Sequence, residues 1–84
     1  MKKRKLASPR TPNAIDIYIG ARMRDRRVQL KISQTALAKT LGVSFQQVQK
    51  YESGSNRVSA ARLLEICEAL QVPLASMFER KLKA

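Results

Sequence analysis

Apolar side chains along this chain recur mainly at intervals of three, four and seven, so helices and no strands are expected. Ile15, Ile19, Met23 and Leu30, with Tyr18 beside them, place one apolar face on a helix running from about Ala14 to Leu30. Arg22, Arg24 and Arg26 then point largely elsewhere. Leu37, Ala38 and Leu41 follow Ser33, a good N-cap, and stop at Gly42, which predicts a helix of about two turns. Ser44, with Gln47 three positions on, has the form of a capping box and opens a third helix through Val48 and Tyr51 to Gly54. The stretch from Ser53 to Arg57 has loop composition, and a fourth helix from about Ser59 carries a stripe of Leu63, Leu64, Ile66, Cys67 and Leu70. Pro73 suits the first position of a last short helix, whose apolar edge is Leu74, Met77 and Phe78. The expected fold is all-α, a compact five-helix bundle without internal repeats.

Composition limits what such a bundle can do. Eighty-four residues, 44% of them hydrophobic, supply one small core and exclude a multidomain enzyme. The chain has no histidine and one cysteine, which removes imidazole acid-base chemistry, paired-ligand zinc sites and any intrachain disulfide. No catalytic, cofactor or metal site is expected. Cys67 falls on the fourth helix's stripe and reads as a small buried hydrophobe rather than a redox sensor.

Charge points to the partner. A formal net charge of +11 favours a polyanion, either nucleic acid or an anionic membrane surface. Residues 1–13 carry Lys2, Lys3, Arg4, Lys5 and Arg10 with no acid and two prolines, so a flexible basic arm is expected before a domain over 14–80, with 81–84 a short tail. That arm either solubilises the chain or wraps a duplex. No apolar run approaches the roughly 18 to 20 residues that cross a bilayer. Ser8, Pro9, Arg10 and Pro12 stand where the apolar stretch of a secretory signal would be, so a cytoplasmic location, the bacterial cytosol or nucleoid, is expected.

The most informative window is 34–53, two short helices joined by Leu41-Gly42-Val43-Ser44, which is a helix-turn-helix layout. Small Ala38 lets the helices approach, while Leu37, Leu41, Val43, Val48 and Tyr51 anchor them on the core. The remainder of the second helix, about 45–53, exposes Phe45, Gln46, Gln47, Gln49 and Lys50 and no acid. Such a surface suits DNA reading: glutamine pairs bidentately with adenine, lysine donates to guanine, and an aromatic ring meets a thymine methyl.

With these strings in place, the chain resembles the Cro/repressor-type helix-turn-helix family, also called the Xre family. The resemblance spans about Ile19 to Phe78 and rests on Ile19-Gly20 with Arg22 to Arg27, Ser33-Gln34, Leu37-Ala38, Leu41-Gly42-Val43-Ser44, Val48, Tyr51-Glu52-Ser53-Gly54, Leu63-Leu64-Glu65-Ile66 and Leu70-Gln71-Val72-Pro73. It implies a lambda-repressor-like bundle of five helices whose third helix lies in the DNA major groove. Phe45, Gln46, Gln49 and Lys50 would then meet base edges, and Gln34, Gln47 and Ser44 a base or a phosphate. Ser33, Ser53, Asn56 and Arg57 would hold phosphates, and Arg27 would pair with Glu52 in a structural role. Phe45 stands where several repressors have glutamine, which implies methyl or stacking contact there.

The expected function is a sequence-specific regulator of transcription acting on double-stranded DNA without a cofactor, repressor before activator, with a roughly palindromic operator. A homodimer is expected, with Leu74, Met77 and Phe78 either as its contacts or as residues that close the monomer's core, with RNA polymerase or another protein as a further possible partner and no membrane. The alternatives are an antitoxin or other interaction module that also binds its own promoter, and charge-driven RNA or membrane binding, which the exposed glutamines disfavour.

Overall fold

Each helix starts where a side chain takes up an amide that has no partner inside the helix. The computed structural model describes residues 13–79; the expected basic arm over 1–13, apart from Asn13, and the tail over 81–84 lie outside the described residues. Asn13 accepts from the Asp16 amide at 2.9 Å and opens α1, Ala14–Gln29, so this residue belongs to the helix cap and not to an arm. Ser33 does the same for α2, Gln34–Leu41, through the Ala36 amide. Ser44 opens α3, Phe45–Ser53, and Ser59 opens α4, Ala60–Leu70. The stops are equally local. Gly42 and Gly54 take left-handed conformations, φ 73° and 80°, and the next residue's amide reaches back to Ala38 and Lys50 respectively, which satisfies a last-turn carbonyl of each helix.

The fifth element differs from expectation. Leu74–Met77 forms a single 3-10 turn, so the described fold is four α-helices and a turn, not five helices. Pro73 contributes no amide, and the four residues after it close only short-range bonds, Ser76 N–H to Pro73 C=O and Phe78 N–H to Ala75 C=O. So few residues cannot repay the nucleation of an α-helix.

The core is built from Ile19 and Met23 of α1, Leu37, Ala38 and Leu41 of α2, Val48 of α3, Leu63, Ile66, Cys67 and Leu70 of α4, and Met77 of the final turn. Three residues expected at or beside this core, or at an interface, are placed otherwise. Ile15 is 52% exposed, on the solvent side of the first turn of α1, whose other residues Asp16 and Ile17 meet Arg57 and Gly54. Leu64 is 50% exposed, because the inward stripe of α4 runs through 63, 66, 67 and 70, and position 64 lies about 100° off it. Met77 is 1% exposed and closes the core, so it is not available as a dimer contact.

Cys67 is buried, and burial pushes its thiol above the ordinary cysteine range by disfavouring the thiolate. Its reaction with an aromatic disulfide reagent should therefore be limited by unfolding. In native buffer labelling is expected to be slow, and in denaturant complete within mixing; prompt stoichiometric labelling of the native protein would contradict this packing.

Candidate nucleic-acid interface

Arginines of α1 and α4 fix the frame that carries the α2-turn-α3 unit. Arg22 donates to the Ser76 carbonyl from Nε and Nη2 at 3.0 and 2.7 Å, and Arg26 donates to the Leu70 and Gln71 carbonyls at 2.9 and 3.3 Å. Arg62 donates to the Leu41 carbonyl at 2.9 Å, at the end of α2. These cations satisfy the last carbonyls of α2, α4 and the final turn, where the negative end of a helix favours them. The sequence places Arg22 and Arg26 largely off the apolar face of α1 and names no partner for them. Their spacing of four does mark one helix face, but backbone carbonyl acceptors leave no trace in a sequence.

The α2-turn-α3 unit is held from below by a buried polar cluster. Arg27 donates to Glu52 through Nε to Oε2 at 2.7 Å and Nη2 to Oε1 at 3.1 Å, and its Nη1 donates to the Ile32 carbonyl at 2.8 Å. The two side chains are 11% and 3% exposed. Gln34, the first residue of α2, adds an Nε2 bond to Glu52 Oε1 at 2.9 Å. One carboxylate thus ties the end of α1, the start of α2 and the last turn of α3 together. Among the described residues no buried side-chain N or O lacks a partner. Sequence reasoning assigned Gln34 only to DNA and missed its link to Glu52.

Backbone contact sets the depth of α3. At Gly20 a Cβ would lie 2.6 Å from the Glu52 carbonyl oxygen and closer still to that of Tyr51, so α1 can cross α3 here only without a side chain. Gly54, at the end of α3, is pressed against Ile17 of α1 in the same way. Arg57, in the following loop, pairs with Asp16 near the start of α1, Nε to Oδ2 at 3.2 Å. Its guanidinium is thereby partly neutralised on a side chain that remains half-exposed.

On this support α3 buries Val48 and Glu52 and half-buries Tyr51. Its outer side presents Gln46, Gln49 and Lys50 exposed, Phe45 40% exposed and Gln47 half-buried. Glu52, the one acid of α3, is turned inward, so the outer face carries only neutral polar groups, an aromatic ring and a cation. The hydroxyls of Ser33 and Ser44 accept from the backbone as caps, both on exposed residues. Ser53 bonds to the Lys50 carbonyl and to Ser55, and Asn56 is exposed in the same loop. Leu74 and Phe78, 39% and 50% exposed, leave an apolar edge at the final turn. Among the described residues no cluster of metal-binding side chains occurs, and no helix is long and apolar enough to cross a membrane.

Comparison with known proteins agrees with this geometry. Residues 23–76 match the sequence profile of the helix-turn-helix family. An uncharacterized HTH-type transcriptional regulator of Sinorhizobium fredii is 57% identical over 67 residues, which are 80% of this chain and 47% of that protein. The chain spans about half the length of the curated relatives it matches most strongly. Among solved structures, the restriction-modification controller protein C.AhdI from Aeromonas hydrophila superposes with a TM-score of 0.74 at 29% identity, covering 79% of this chain and all of that one. The DNA-binding domain of the P22 C2 repressor superposes with a TM-score of 0.68 at 35% identity, over 71% of this chain and 79% of that domain.

Proposed function

The chain belongs to the helix-turn-helix family of transcriptional regulators, and from that membership we propose that it is a sequence-specific reader of double-stranded DNA whose α3 enters the major groove. The observation that carries this is the outer face of α3: Phe45, Gln46, Gln49 and Lys50 stand exposed and free of acid on a helix fixed by a buried ion pair. Each residue has a base it suits. Gln46 and Gln49 can pair bidentately with adenine, Lys50 can donate to guanine O6 and N7, and the Phe45 ring suits a thymine methyl. Ser33, at the start of α2, and Ser53, Asn56 and Arg57, at the end of α3 and in the loop beyond it, position the duplex through its phosphates, while Gln34, Ser44 and Gln47, near the starts of α2 and α3, reach a base or a phosphate.

A single half-site read by so short a helix gives little discrimination, so two copies act on a roughly palindromic operator. Leu74 and Phe78 supply an apolar edge through which two copies can pair. Half-site centres then lie about 34 to 36 Å apart on one face of the duplex. Occlusion of a promoter makes repression the default outcome, and the protein acts on the nucleoid in the bacterial cytosol.

The test is selection from a random duplex library at near-physiological salt, repeated with Gln46→Ala and Lys50→Ala. A symmetric motif is expected from the wild type. Each variant should bind it more weakly by about 1 to 3 kcal/mol and tolerate changes at one base position. Equal losses on random DNA would contradict the assigned base contacts, and retention without any motif would contradict sequence-specific reading.

A further inference from the structure

Nearly every arginine among the described residues is committed within the fold: Arg22, Arg26, Arg27, Arg57 and Arg62 each hold a carbonyl or a carboxylate. Arg24 is the exception. It is exposed and makes no hydrogen bond or ion pair with any described residue, yet it does not face open solvent alone. It lines a shallow cleft of about 330 Å³ whose other walls are Gln34 of α2 and Gln49, Glu52 and Ser53 of α3. The cleft therefore runs along the flank of the helix that presents Gln46 and Lys50.

The electrostatics of this cleft select an anion. Glu52 is the one acid in its wall, and its carboxylate already takes two bonds from Arg27 and one from Gln34 while almost wholly buried. Asp25, next to Arg24 in sequence, lines a different cleft with Arg22 and Arg26. What remains is one unneutralised guanidinium, the positive end of α2 at Gln34, and the neutral amide donor of Gln49; the Ser53 hydroxyl is already spent on the Lys50 carbonyl. We infer that Arg24 is a phosphate clamp: the cleft between α1, α2 and α3 takes one backbone phosphate of the bound duplex, with Arg24 as its charged ligand. A guanidinium suits this task because its planar fork donates two parallel bonds to phosphate oxygens. Gln49 then lies between the base edges and the strand that Arg24 holds, and Arg24 contributes affinity that does not depend on base sequence.

This inference rests on the DNA-binding proposal above, and the experiment separates the two. Affinity is measured against salt concentration for wild type, Arg24→Ala, Arg24→Lys and Lys39→Ala, each on the selected duplex and on an unrelated one. Lys39 is exposed on α2 and lies outside the cleft, so its removal controls for net charge alone. Arg24→Ala is expected to reduce the log-log salt slope by about 0.9, the value of one phosphate contact, and to weaken both duplexes by the same factor. Arg24→Lys should keep most of the slope, and melting should be unchanged in all variants. An unaltered slope in Arg24→Ala, a loss confined to the selected duplex, or an equal loss in Lys39→Ala would each overturn the clamp and leave DNA binding standing. A wild type that binds neither duplex would overturn both.

Discussion

Glu52→Ala is expected to lower the unfolding free energy by about 3 to 5 kcal/mol, the usual result of removing one partner from a buried ion pair. The cost arises mainly from what is left behind. Arg27 would keep its bond to the Ile32 carbonyl but would hold a charge, 11% exposed, with no counterion, and the Gln34 amide would lose its acceptor. In a domain of this size, 3 kcal/mol corresponds to a drop in Tm of roughly 12 to 24 °C. Thermal or urea unfolding followed by circular dichroism measures it directly. The double replacement Arg27→Met with Glu52→Leu should cost less than Glu52→Ala alone, because no unpaired charge then remains in the core. A shift of under about 0.5 kcal/mol for Glu52→Ala would show the pair to be solvated, where such contacts contribute little. The tie has a functional consequence as well. The same carboxylate joins the start of α2 to the last turn of α3, so its loss should loosen the angle between them and weaken specific DNA more than random DNA.

Gly20→Ala is expected to be comparably damaging for a different reason. A methyl group at this position meets the Glu52 carbonyl oxygen at 2.6 Å and the Tyr51 carbonyl oxygen closer still, both of them backbone atoms inside a helix. A flexible side chain could rotate away, whereas these carbonyls move only if α3 moves. Overpacking of a well-filled site costs typically about 1 to 3 kcal/mol, and a backbone obstacle puts this substitution at or above the upper end. On helix propensity alone the change would stabilise α1 by about 0.5 to 1 kcal/mol. The two expectations differ in sign, so the measured unfolding free energy decides between them. If the variant folds, α3 should be displaced outward from α1, and affinity for the selected duplex should fall along with stability.

The legible and illegible parts of this chain divide along one physical line. Helix starts at Ser33, Ser44 and Ser59 and stops at Gly42 and Gly54 were readable because capping is a contact between residues two to five apart. The helix-turn-helix window and the outward face of α3 followed from the same short-range spacing. Periodicity failed where it was asked for more than a face. It assigned Ile15 and Leu64 to the core, although both are about half exposed, Ile15 on the solvent side of the first turn of α1 and Leu64 about 100° off the inward stripe of α4. It left Met77 between the core and a dimer edge and gave its segment a fifth helix, although the segment is a 3-10 turn with Met77 buried in the core.

By itself the sequence determined where the first four helices start and stop, the polarity of α3's outer face and the positive charge that favours a polyanion, since all three depend on residue type and local spacing. The tertiary structure alone decided which carbonyls Arg22, Arg26 and Arg62 cap, that Gly20 meets the backbone of α3, that Gln34 is tied to Glu52, and that Arg24 is left unpaired beside the recognition helix. These contacts join residues far apart in the chain through backbone groups that every residue carries alike. Nothing in a side chain's identity announces them; they exist only once the helices have crossed.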